Sequence, residues 1–134
     1  MTSDRWVRPY FLAMAAYWTI FGLGAALSPG TMNAFLTPEG VAASTAFSDH
    51  VWLHAGLDLV TVGVLLFGLS FVPAGSLILR VAGVAALLPA VAIGISVFGT
   101  PYWNGLFIIP GIGFLAFAAG GLVLAQRAAA AVPS

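Results

Sequence analysis

The chain has no cysteine, no lysine and little charge of either sign. The missing cysteine excludes disulfides, thiolate metal sites and cysteine nucleophiles. Four arginines balance four acidic residues to a formal net charge of +0. No basic face can be built from so few cations, which argues against a nucleic-acid partner. There is no Gly-rich phosphate loop and no nucleotide motif. Charged residues make up only 6% of the sequence, against about a quarter in an ordinary soluble domain. What fills the space is apolar: 61% of the 134 residues are hydrophobic, and the mean hydropathy is +1.08. That leaves too little polar surface to cover a water-soluble globule, and the class is integral membrane.

A membrane helix needs about 20 apolar residues, and four stretches supply them: about 9–27, 49–69, 74–98 and 102–125. Turn chemistry separates them at Ser28-Pro29-Gly30, Val72-Pro73-Ala74-Gly75 and Gly99-Thr100-Pro101. The expected fold is an all-α, four-helix transmembrane bundle in one domain. The first stretch follows Arg5 and Arg8 and ends in AALS, like a signal peptide. Its apolar run exceeds the usual ~7–15 residues of a signal h-region, so it reads as a retained helix. Arg5 and Arg8 precede the first span, Arg80 opens the third and Arg127 follows the fourth. In a four-span chain these positions share one side, which puts both termini in the cytoplasm. Arg80 lies a few residues inside its span, where its side chain would snorkel to the interface.

Residues 28–48 form the long outer connection. Thr37-Pro38-Glu39 has the chemistry of a helix start: a capping hydroxyl, proline at the first position and an acid in the first turn. A short helix on the bundle mouth would follow, anchored by Phe35, Leu36 and Phe47. Trp6, Tyr10, Tyr102 and Trp103 stand at span ends, where interfacial aromatics are expected. Ser48 and Asp49 would cap the second span.

The second span carries the chain's unusual residues. His50, His54 and Asp58 recur at i, i+4 and i+8, with Thr61 extending the stripe. Asp58 lies roughly 13 Å below Asp49 at 1.5 Å per residue, near the bilayer centre. Counted from the outer ends, Tyr17 and Trp18, Pro89 and Pro110 fall at the same depth. Each proline would free a carbonyl, of Ala85 and of Leu106, which persists in a membrane only where protein or water satisfies it. Gly56 and Gly63 mark the other side of the second span, where a helix can approach closely. An ionised Asp facing lipid costs several kcal/mol, at least ~2.5, so the stripe is expected to point into the bundle interior, around a cavity.

Three chemistries suit such a stripe. The first is acid–base catalysis on a lipophilic substrate: isomerisation, cyclisation or epoxide opening without a cofactor. His54 and Asp58 would move the proton with Glu39 as a further group. Tyr17, Trp18, His50, Trp52, Trp103 and Asn104 would line the substrate pocket, and the indoles would stabilise a developing cation. The second is a non-catalytic role as a membrane subunit or lipid-binding module, with the stripe as helix–helix glue; AMAA, GLGAA, VAGVAA and FAAGG suit tight packing. The third is a metal shared by the two histidines at i and i+4, with Asp58 or Glu39 as a third ligand; lying on one helix face, they cannot be the two axial ligands of one haem, and no third histidine exists. Proton-coupled transport rests on one acid alone. The expected partners are a lipophilic small molecule or lipid, the membrane and a further copy in a homo-oligomer.

The long first loop after FGLGAALSPG, the Gly-rich second span HAGLDLVTVGVLLFGL and the closing GLVLA resemble the small four-helix bacterial membrane proteins of the DoxX-like type. The resemblance implies a compact four-helix bundle and a redox-associated or otherwise diverse membrane subunit. The HVWLHAGLD stripe matches no signature of that family, so no site residue is carried over. Ala-rich, Lys-free usage suggests a bacterium of high genomic GC content, and with it the bacterial inner membrane.

Overall fold

The computed structural model describes residues 5–44 and 46–131; of Pro29, Ala46 and Phe47 only the backbone is described. Among the described residues six α-helices follow one another: α1 (Val7–Leu27), α2 (Pro29–Met32), α3 (Pro38–Ala43), α4 (Ala46–Leu69), α5 (Ser76–Gly99) and α6 (Ile108–Ala130). Four of them, α1, α4, α5 and α6, are long and apolar enough to cross a membrane. The expected all-α four-helix bundle of an integral membrane protein is the fold observed.

Glycines set how closely the helices pair. α1 meets α4 at Gly22 and Gly56, where a Cβ on Gly56 would lie 2.5 Å from the Gly22 carbonyl oxygen. Gly63 takes the Thr19 hydroxyl of α1 against its backbone. α5 meets α6 the same way, with Gly121 set so that a Cβ would lie 2.9 Å from the Gly83 Cα. Hydrophobic attraction between helices is absent in lipid, so close backbone contact over small residues is what holds such hairpins.

The two hairpins join along α1 and α6. Tyr10 Oη donates to the Phe117 carbonyl at 3.0 Å and Tyr17 Oη to the Pro110 carbonyl at 2.8 Å. Phe114 sits at the centre with its ring edge-on to Tyr17, Trp18 and Phe21. Phe11, Met14, Leu79 and Phe114 are the largest fully buried side chains.

The expected helix start at Thr37 is present. Its hydroxyl accepts from the Gly40 N–H at 3.1 Å, with Pro38 at the first position and Glu39 in the first turn. Phe35 and Leu36 are half-buried; the Phe47 side chain lies outside the described residues. The second span begins at Ala46, so Ser48 and Asp49 sit in its first turn rather than at its cap. There Asp49 still complements the partial positive charge of the helix N-terminus. The fourth span begins at Ile108 rather than at 102, because residues 105–107 form a 3-10 turn capped by Asn104, whose side chain accepts from the Leu106 N–H.

That later start changes the position of Pro110 within its helix. It is the third residue of α6, where proline costs a helix little, and its carbonyl accepts from Tyr17 Oη at 2.8 Å, ten residues below the outer end of α1. Pro89 is inside α5, ten residues from its outer end and so about 15 Å deep. Tyr17 and Pro110 are thus at one level, as the count from the outer ends implied, with Pro110 at a helix start rather than inside a helix.

Candidate functional site

The residues singled out by sequence fall into three separate places. The first is the outward face of α4. Gly56 and Gly63 are buried against α1, as their spacing implied. His50, His54, Asp58 and Thr61 are exposed on the other side. The expectation that the stripe points into the bundle is therefore corrected. Packing accounts for it: the glycine side makes the closer backbone contact, so that side is drawn to α1, and the polar side rotates outward.

Depth follows from the Gly22–Gly56 contact. Asp58 lies two residues further in, level with about Ile20 of α1. Seven residues of α1 remain above that level, which is roughly 10 Å. Asp58 is thus inside the apolar layer, and His54 lies one turn nearer its surface. Neither makes a hydrogen bond or ion pair among the described residues. The Thr61 hydroxyl is satisfied within its own helix, donating to the Leu57 carbonyl at 2.9 Å.

The outward faces of the other spans are different in kind. α5 shows lipid Leu77, Val81, Val84, Leu88, Val91 and Ile95, and α6 shows Ile109, Ile112, Leu115 and Val123. Only α4 presents ionisable side chains at that depth among the described residues. It is also the least covered span, with 17% of its apolar window buried against 39%, 28% and 33% in the others.

The second place is the seam between α1 and α6, which holds Tyr17 and Trp18. Tyr17 is engaged with Pro110. Trp18 is only 6% exposed, packs on Phe114, and its Nε1 has no partner. Neither residue shares a face with His54 or Asp58.

The third is a cap at the loop end. Phe35, Trp52, Trp103 and Phe107 form a run of aromatic contacts, with Trp103 stacked on Phe107 at 4.1 Å and Trp52 edge-on to Trp103 at 5.5 Å. Beneath it the two outer loops are stitched together. The Thr37 N–H donates to the Tyr102 carbonyl at 2.9 Å and the Asn104 N–H to the Phe35 carbonyl at 2.8 Å. The Asn104 side-chain amide donates to the carbonyls of Ala34 and Leu36 at 2.7 and 3.1 Å. Thr37 Oγ1 donates to the Pro101 carbonyl at 2.7 Å. Trp52, Trp103 and Asn104 are thus engaged in holding the cap, and Glu39 is exposed on it.

Sequence reasoning missed the two tyrosine latches and the loop clasp. A signal for the first was present: Tyr10 and Tyr17 are seven residues apart, as are Gly113 and Gly120, over which their rings lie. The clasp had no signal beyond a lone Asn in an apolar stretch. No group of three or more potential metal-ligating side chains occurs among the described residues. Comparisons with protein-family models, curated proteins and solved structures found no match.

Proposed function

We propose that this chain is a non-catalytic membrane subunit, in a bacterial inner membrane with both termini cytoplasmic, that joins a larger assembly through the outward face of α4. One observation carries the reading: an acid and a histidine lie unpaired on the least covered span, while the faces beside them are aliphatic. Leaving Asp58 against acyl chains costs at least ~2.5 kcal/mol. A protein surface that supplies hydrogen bonds removes that cost, and the cost then becomes a driving force for association. The resemblance to DoxX-like membrane subunits agrees with this role.

The acid–base reading has weaker support. The groups named as pocket walls serve elsewhere, Tyr17 as a latch and Trp103 and Asn104 in the cap. His54 and Asp58 would gain a walled site only with a partner laid against α4.

The test is native mass spectrometry after extraction in a mild detergent. A species heavier than the 13.8 kDa chain is expected. Asp58→Leu should return it to the single chain with unchanged helical circular dichroism, because residue 58 touches no core. A wild-type protein that runs as a bare monomer would sink the proposal.

A further inference from the structure

The exposed residues of α4 have a finer order than one polar stripe. Val51, His54, Asp58, Thr61, Leu65 and Gly68 are all exposed. Their spacing alternates three, four, three, four and three. This spacing is the one that lines the seam of a helix pair at 3.5 residues per turn. Leu57, Val64 and Phe67 are exposed beside it, so the outward face is wider than this line. Here the seam faces away from the chain's own bundle. Thr61 and Gly68 are small enough to let a second helix come close.

We infer that the occupant of this seam is a second copy of the same chain, paired α4 to α4 in parallel about a two-fold axis along the membrane normal, with His54 of each copy bonded to Asp58 of the other. The inference rests on the subunit reading above. Charge complementarity selects the occupant. The seam holds one donor and one acceptor, four residues apart, and neither has a partner among the described residues. A two-fold presents the same pair in the same order, so both groups on both copies are matched at once.

The geometry is consistent with the pairing. Both copies insert the same way, so the two α4 helices are parallel. Asp58 then faces Asp58 of the second copy, and like charges turn apart. Side chains on a helix lean toward its N-terminus, which for α4 is the loop end. Each carboxylate therefore leans toward the histidine layer, the imidazoles lean the same way, and a His54 ring turned down toward the carboxylate spans the offset of about 6 Å along the axis. An imidazole N–H can donate to it in either protonation state. Asp58 is then hydrogen-bonded within the apolar layer.

The cysteine-free sequence makes the test direct. Thr61→Cys and Leu65→Cys are introduced singly, with Leu88→Cys on the lipid face of α5 as control, and native membranes are treated with copper phenanthroline. Disulfide-linked dimers are expected for the first two and not for the third. Adding His54→Ala or Asp58→Ala to Thr61→Cys should cut cross-linking by about fivefold or more, the scale of an interhelical polar contact in lipid. Exchanging the pair, His54→Asp with Asp58→His, should restore it. Seam cysteines that link no better than Leu88→Cys would overturn the inference. If the native complex is then still heavier than one chain and Asp58→Leu dissolves it, the partner is a different protein: the subunit reading stands and the self-pairing falls. A bare monomer overturns both. Cross-linking that ignores His54 and Asp58 overturns the histidine–aspartate pairing.

Discussion

Tyr10 and Tyr17 do at the residue scale what no apolar side chain could: each ring lies over a glycine of α6 and each hydroxyl donates to a carbonyl there. Interhelical hydrogen bonds in membranes average about 0.6 kcal/mol and reach about 1.7. Tyr17→Phe should therefore cost roughly 1 kcal/mol, read by reversible unfolding of the protein in mixed micelles. The glycines give a sharper contrast. A Cβ at Gly56 would strike the Gly22 carbonyl and Ala26, whereas a Cβ at Gly94 meets nothing within 4 Å. Gly56→Val should destabilise by about 1–3 kcal/mol, as overpacking does. Gly94→Ala should be neutral or stabilising by up to about 1 kcal/mol, since alanine is the better helix former. Equal losses at the two sites in the same unfolding assay would refute the packing assigned to α1 and α4.

Elements show which parts of the structure a periodic pattern can and cannot announce. The spans were legible because about 20 apolar residues between turn signals admit few other readings. The start of α3 was legible because Thr37, Pro38 and Glu39 each have a local physical role. The rotation of α4 was not. Spacing fixes the angle between Gly56 and Asp58 around the helix, and it says nothing about which side turns inward when the whole helix is apolar. The choice is made by tertiary packing, where glycine contact with α1 prevails. The start of α6 was missed for a related reason: Asn104 holds residues 105–107 in a 3-10 turn, which no apolar run announces. The same asparagine supports an element-level prediction. Asn104→Ala removes two donated bonds and one accepted bond. Amide hydrogen exchange at Thr37 and Asn104 should then accelerate by tenfold or more, on the order of 1.4 kcal/mol. Unchanged protection at both amides would show that the loop contact does not depend on the side chain.

At the scale of the whole molecule, Arg5, Arg8, Arg80 and Arg127 stand at one end and the stitched loops at the other. The candidate residues were legible as a set and not as a place, since the packing of α4 on α1 turns His54 and Asp58 outward. The proposed orientation, by the positive-inside rule, puts the arginine end in the cytoplasm. Glu39→Cys should accordingly react with a membrane-impermeant maleimide on intact cells, and Gln126→Cys only after lysis; the reverse result would invert the topology. The hairpin arrangement also bears on how the protein is made. α1 pairs with α4 and α5 with α6, each with its nearest long neighbour in sequence. A chain leaving the ribosome can therefore settle its first half in the bilayer while the second is still being synthesised. The clasp is the exception, because residues 34–37 must wait for residues 101–104 to cross. Biogenesis thus has a natural last step at the loop end, and a nascent chain stalled before Pro101 should carry a sealed first hairpin beneath an unfastened loop.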